Sequence, residues 1–289
     1  MGKKVKTFVI VPVFKRLKLT KIFVNSLVEN WLGDITILIV DDSDELENYN
    51  YFKHYDSDNV ITIHTKIGDD SFWCGTMRVG IDYLNENLKP NPDDIVIFAN
   101  NDVTIDEAFF HAFYHHIDSE SIVHPQTLAN NKLVSSGCKV KSWFPYITSH
   151  PICETSGPHN PTKVEIDLCT ARFLSMKFST LKVIGNIAGN LIQYHGDNDF
   201  SLRAKKLGIR SYIINGAVCK LYDDDTGKKN SNINRFKDAY NSLFEIRSAN
   251  NLYSRWCFIN NHFSKIHSVF ILLSMTVNVF VKVIMNKFK

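Results

Sequence analysis

The sequence predicts an α/β fold: a mixed, mainly parallel central sheet with helices on both faces, followed by further helices at the C-terminus. Two patterns carry this prediction. Up to residue 99, short runs apolar at nearly every position alternate with segments of helical period. Strands apolar on both faces belong to parallel sheets that helices cover. Beyond residue 221 a polar linker, residues 223–229, leads into segments that read as helical to the end.

In order along the chain, residues 7–13 read as a buried strand, 19–29 as a helix and 35–40 as a second strand. Residues 60–64 form a third strand, 76–88 a helix and 95–99 a fourth strand, each assigned from its apolar period and β-branched content. Residues 122–124, 164–168 and 211–214 read as strands, 178–184 as a short helix, and 197–207 as a helix ended by Gly208. Residues 266–285 are apolar and roughly long enough to span a bilayer. Their polar positions, His267, Ser274, Asn278 and Lys282, continue to Lys289 as one helical stripe. That stripe predicts a helix lying in a membrane interface with its polar side outward. Docking on the preceding α/β part or on a second subunit, as in a homodimer, is the alternative.

The chain has 289 residues, 44% hydrophobic and 22% charged, a globular composition. A net charge of +3 is too weak to indicate nucleic acid. Lysines gather at both ends (Lys3, Lys4, Lys6, Lys282, Lys287, Lys289), which suits an anionic surface. Six scattered cysteines without a C-x-x-C pair read as reduced thiols of a cytoplasmic protein. The apolar run at residues 8–11 stops at Pro12 and does not read as a signal peptide. No G-x-G-x-x-G follows the first strand, against a dinucleotide-dependent dehydrogenase. The same segment lacks the glycine-rich basic loop of a sugar nucleotidyltransferase.

Ligands of parallel sheets bind at the carboxyl ends of the strands, and here those ends are polar. Asn100, Asn101 and Asp102 follow the fourth strand. A carboxylate there can hold a divalent cation bridging a diphosphate, although the same residues also suit an Asx turn. Asp41 and Asp42 end the second strand, where a carboxylate can accept from a base imide or ribose hydroxyl, or simply cap a turn. Asp197 and Asp199 open a predicted helix whose dipole favours an ionised carboxylate. Asp199 and Arg203 are spaced to pair, leaving Asp197 as the free carboxylate or a plain N-cap.

The succession VIVPVF, IVDDSD, FANND and YHGDNDFSLRAKKLG resembles family 2 glycosyltransferases with the GT-A nucleotide-diphospho-sugar transferase fold, over residues 6–220. It is similar in particular to the rhamnosyl- and galactofuranosyltransferase-like branch that builds bacterial surface polysaccharides. The segment of Trp73, Gly75, Arg78 and Gly80 resembles that family's glycine-rich helix start, and Ser136-Gly137 its following turn. The resemblance implies an inverting transferase with a catalytic domain over residues 1–220: a nucleotide-sugar half at 1–105, an acceptor half at 106–220, then the tail at 221–289. Asp197 would be the catalytic base. Pro12, Phe14, Arg16, Asp41, Asp42, Trp73, Arg78, Asn100, Asn101 and Asp102 would contact the donor, with Asp102 meeting Mn²⁺ or Mg²⁺. Arg172 and Asp199 would face the acceptor. Where relatives carry a metal-binding His after the base, this chain has residues 218–221 without one, and Lys220 is a candidate cation instead. The implied partners are a UDP- or dTDP-sugar and a glycan or polyprenyl-diphosphate-linked acceptor at the inner face of the cell membrane. The alternative is a non-catalytic carbohydrate-binding or assembly module of the same fold.

Overall fold

The computed structural model describes residues 4–55, 59–65, 71–155, 157, 161–222 and 233–287. Gly2, Lys3, Lys289 and the predicted linker at residues 223–229 lie outside the described residues.

The first half alternates strand and helix as its pattern requires: β1 (Lys6–Val13), α1 (Leu17–Asn30), β2 (Asp34–Asp41), α2 (Glu47–Phe52), β3 (Val60–His64), α3 (Phe72–Tyr83) and β4 (Ile95–Phe98). The four strands pair in parallel in the order β4-β1-β2-β3. Helix α3 starts four residues before its predicted position. It can lie against the sheet because Gly80 has no side chain: a Cβ there would sit 2.4 Å from Ile10 Cγ2.

The second half comprises β5 (Val103–Thr104), α4 (Glu107–Phe113), β6 (Ser121–Ala129), β7 (Lys132–Ser135), β8 (Lys139–Trp143), β9 (Tyr146–Ser149), β10 (Thr162–Ile166), β11 (Leu174–Lys177), α5 (Phe178–Ile184), α6 (Gly196–Lys206) and β12 (Arg210–Leu221). The sheet continues beyond β4 as β11-β6-β12-β10. Strand β11 runs antiparallel to β4 and β6, whereas β12 is parallel to β6. The sheet is therefore mixed, with helices packed on it and apolar clusters on either side. Strand β12 is much longer than its predicted core, because a register shift between Ile214 and Val218 carries it on to meet β5.

The tail forms α7 (Phe236–Ser242), α8 (Leu252–Asn260) and α9 (Lys265–Lys287). Cys257, Phe258 and Ile259 of α8, with Ile271 and Met275 of α9, belong to the same buried cluster as β1 and α3. Arg255 is buried in α8, and its guanidinium donates to Ala249 O, Met275 O and Asn250 Oδ1. The predicted polar stripe of α9 turns outward only in part: His267 and Lys282 are exposed, but Ser274 and Asn278 are half-buried. Ser274 Oγ accepts from Tyr146 N at 2.8 Å and Asn278 Nδ2 donates to Tyr146 O at 2.9 Å, so these residues hold the β8–β9 hairpin. Apart from Lys265, His267, Lys282 and Asn286, the residues that α9 turns to solvent are apolar. Helical period alone identifies a stripe; what packs on it is decided by an element more than a hundred residues away in sequence.

Candidate active site

Seven chain segments converge at the carboxyl edge of the sheet around a cleft of about 410 Å³, four of them forming most of its wall. After β1, Lys15 and Arg16 take left-handed backbone conformations that turn the chain into α1 and leave Phe14 and Arg16 at the cleft. After β4, Asn100, Asn101 and Asp102 reach it directly. The segment before β11 supplies Thr170, Ala171 and Arg172. On the far side, His195 adopts a left-handed φ of 69° and α6 begins, which presents Asp197. Gly196 permits this approach: a Cβ there would lie 2.7 Å from Cys74 Sγ and 3.0 Å from the Trp73 ring.

Ten of the sequence-predicted residues line this cleft: Pro12, Phe14, Arg16, Asp42, Trp73, Asn100, Asn101, Asp102, Arg172 and Asp197. Several are tied to one another. Trp73 Nε1 donates to Asn100 Oδ1 at 3.0 Å, and Trp73 N donates to Gln193 Oε1 at 3.0 Å. Asn101 Nδ2 donates to Thr20 Oγ1 at 3.0 Å. Asp42 accepts from Thr65 Oγ1 at 2.6 Å and Phe72 N at 3.1 Å; burial still raises its pKa against these bonds.

Three assignments are corrected. Asp41 is fully buried and does not line the cleft; its carboxylate accepts from Ser43 N, Ser43 Oγ and Tyr49 N and so fixes the start of α2. Arg78 points away and donates to Ala188 O and Leu191 O, each at 3.0 Å, clamping the loop after α5. Asp199 is buried under α6, bonded to Arg203 Nε (2.8 Å), Asn261 Nδ2 (2.9 Å) and His262 Nε2 (3.0 Å). It joins α6 to the turn before α9 and is closed to an acceptor. Lys220, the candidate cation, is exposed and paired with Asp106 at 3.1 Å rather than placed at the cleft.

Asp197 remains the carboxylate at the head of α6. Burial pushes its pKa up, while the N–H groups of Asn198 (2.9 Å) and Ala171 (3.3 Å) and the nearby Arg172 work against that rise. Among the described residues no hydrogen-bond partner reaches Arg172 Nε or Thr170 Oγ1, although both atoms are buried. Two donors held without partners beside three strand-end polar residues suit an anionic oxygen.

Sequence reasoning missed the far wall. Gln193, Tyr194 and His195 line the cleft, and so does Arg247, from the segment between α7 and α8. The Arg247 guanidinium lies 5.6 Å from the Phe14 ring centroid, which links the tail to the β1–α1 loop across the cleft. Tyr194 OH donates to Arg247 O and the His195 ring meets Ala249 O, so α6 and that segment position each other. Nothing in the local sequence around Arg247 marks it; only the fold brings it to Phe14.

Among the described residues no three His, Cys, Asp or Glu groups converge on a point. A Mg²⁺ or Mn²⁺ ion here would take Asp102, which lines the cleft, as its protein carboxylate.

No family model matches this sequence, and no curated protein sequence matches it. Solved structures do. GalNAc-T7, determined with UDP, GalNAc and Mn²⁺, superposes with a TM-score of 0.59 at 10% identity over 77% of this chain. This chain spans only 44% of that one. TarS 1-349 of S. aureus, in complex with UDP-GlcNAc, gives a TM-score of 0.57 at 14% identity, covering 93% of this chain and 70% of that one. At these identities the likeness establishes the GT-A fold.

Proposed function

We propose that the protein is an inverting glycosyltransferase that moves a sugar from a UDP- or dTDP-sugar to a hydroxyl of a glycan or a polyprenyl-diphosphate-linked glycan, in bacterial surface polysaccharide synthesis on the cytoplasmic side. The observation that carries this reading is Asp197, a carboxylate of raised pKa in a GT-A fold, sharing one cleft with Asn100, Asn101 and Asp102. The nucleobase and ribose lie on the side of Pro12, Phe14 and Asp42, with Asp42 taking the recognition role that buried Asp41 cannot fill.

In the transfer, Asp197 accepts the proton of the acceptor hydroxyl as its oxygen bonds the anomeric carbon from the face opposite the leaving group. The bond from that carbon to the β-phosphate oxygen breaks, and its electron pair stays on the nucleoside diphosphate. Asp102 would hold the cation, whose chemistry when bound is to offset the diphosphate charge. Arg172 and Thr170, which line the same cleft, donate to the developing anion, a preorganised stabilisation of the oxyanion-hole kind. One displacement needs one base, so no second catalytic carboxylate is required.

The decisive experiment incubates the protein with UDP-, dTDP- and GDP-sugars and follows hydrolysis and thermal stability. A donor at about 100 times its Kd raises stability by roughly 2.7 kcal/mol. Donor stabilisation without turnover on any acceptor supports the carbohydrate-binding alternative; neither effect with any sugar nucleotide removes both.

A further inference from the structure

Helix α9 turns Ile266, Phe270, Leu273, Val277, Val281 and Ile284 to solvent at intervals of three or four residues, one continuous face. The opposite face buries Ile271, Met275, Val279 and Val283. Mean hydropathy in this helix reaches 2.1, yet only 28% of its most apolar stretch is buried. The surface extends onto the hairpin that Ser274 and Asn278 hold in place. There Phe144 is 62% exposed and its ring lies 5.7 Å from that of Phe270, and Ile147 is also exposed.

Beside this face runs a second groove of about 300 Å³ between α6, β8 and the turn before α9. Its walls are Val140, Trp143, Leu202 and Phe263, with the Trp143 and Phe263 rings 4.8 Å apart; exposed Lys206 borders it, as does exposed Lys205, which pairs with Asp167 of the groove at 2.6 Å. Trp143 directly precedes Phe144 and Phe263 precedes Ile266 by three positions, so the groove adjoins the apolar face. From Ile246 to Lys289 the sequence holds no Asp or Glu. Of the cations in that stretch, Arg255 is buried and Arg247 lines the donor cleft, while Lys265 and Lys282 are exposed on α9 itself.

We propose that α9's outer face, the tip of the β8–β9 hairpin and the Lys205–Lys206 groove form one docking surface for a bilayer carrying anionic lipids. The apolar side chains enter the boundary between headgroups and acyl chains, and Lys206, Lys265 and Lys282 meet lipid phosphates. The helix lies along the bilayer, because its inner face belongs to the protein core and cannot face lipid. A second copy is the poorer occupant: across a two-fold axis α9 would meet another α9, and neither contains a carboxylate to pair with Lys265 or Lys282. This proposal stands on the tail surface alone and does not depend on the transferase reading.

The test uses the full chain without nucleotide, co-sedimented with vesicles of phosphatidylcholine alone or with a quarter phosphatidylglycerol. Trp143 fluorescence in the presence of bromine-labelled lipid reports whether the groove contacts the bilayer, with Trp143→Phe as the control. We expect affinity for anionic vesicles at least about tenfold above that for neutral ones. Leu273→Glu with Val277→Glu should abolish binding, and so should Lys206→Glu with Lys265→Glu; all four positions are exposed, so unchanged melting checks that the fold survives. Donor-induced stabilisation should be the same in every variant. Equal sedimentation of wild type and variants overturns the proposal, as does absence of binding to either vesicle. So does a stable dimer in lipid-free light scattering that Leu273→Glu converts to monomer, since a second copy then covers the face.

Discussion

Asp197 and Asp199 lie two positions apart at the start of α6, and their surroundings push their carboxyls in opposite directions. Burial raises Asp197, and its hydrogen bonds do not restore it. Burial also works against ionising Asp199, but bonds from His262, Asn261 and Arg203 hold its pKa below the ordinary value. The raised Asp197 stabilises the fold at low pH, and that contribution is lost as pH rises through its folded pKa. Asp197→Asn should therefore leave neutral-pH melting unchanged or higher while transfer falls about 10²-fold or more, read by product formation and calorimetry on one preparation. The same sign governs activity: kcat/KM should rise with pH through the elevated Asp197 pKa, because the base must be ionised. For Asp199 the linkage is reversed, with stability present above its unfolded pKa and lost as pH falls through the folded one. Asp199→Ala leaves Arg203 without its partner and should cost roughly 3 kcal/mol in denaturant unfolding. Arg247→Ala should lower affinity for a nucleoside diphosphate about tenfold, roughly 1.4 kcal/mol, by titration calorimetry. Unchanged affinity would confine Arg247 to its contact with Phe14.

Glycine positions decide how closely the elements approach the cleft. Gly80 sets the distance of α3 from β1, with Ile10 Cγ2 at 2.4 Å and Val40 Cγ2 at 3.0 Å from an added Cβ. Gly80→Ala should cost about 1–3 kcal/mol, seen as a lower thermal midpoint, because both neighbours are fully buried and have little room to move. Elements with a strong period were legible in the sequence: β1, β2, β3 and β4 are apolar runs, and α6 has acidic residues first and Gly208 after its end. Strand β11 was not, since LSMK shows neither alternation nor an all-apolar run; it is a strand because β4 and β6 offer edges on both sides. The β8–β9 hairpin was missed for a related reason. It pairs with itself outside the main sheet, and α9 rather than a strong local pattern holds its turn.

At the scale of the whole molecule, the tail and the catalytic residues share a core. Ending the chain at residue 264 removes Ile271 and Met275 from the main buried cluster, a loss of roughly 1.5–3 kcal/mol for each side chain. Ending it at residue 244 also removes Arg247 and the partners of His195 and Asp199. The form ending at residue 264 should melt lower but still bind a nucleoside diphosphate; the form ending at residue 244 should lose that binding even where helical circular dichroism persists. Retained binding by the shorter form would place the donor site wholly within the first 244 residues.

The sequence by itself determined the strand ends. A run buried on both faces must be a strand covered by helices, and the first polar residues after it must emerge at the sheet's edge. That places Phe14, Asp42, Asn100, Asn101 and Asp102 at one cleft without any knowledge of packing. Only the tertiary structure decided which member of each polar cluster is available. Asp41 and Asp42 are neighbours with the same chemistry, and so, two positions apart, are Asp197 and Asp199. All four accept hydrogen bonds from other segments, but in each pair one carboxylate is fully buried as a structural joint, while the other opens on the cleft. Arg247 and the inward turn of Ser274 and Asn278 on α9 have the same origin. A residue's period and chemistry are local, but its partners are contributed by segments tens to hundreds of positions away, and burial against them is what assigns its role.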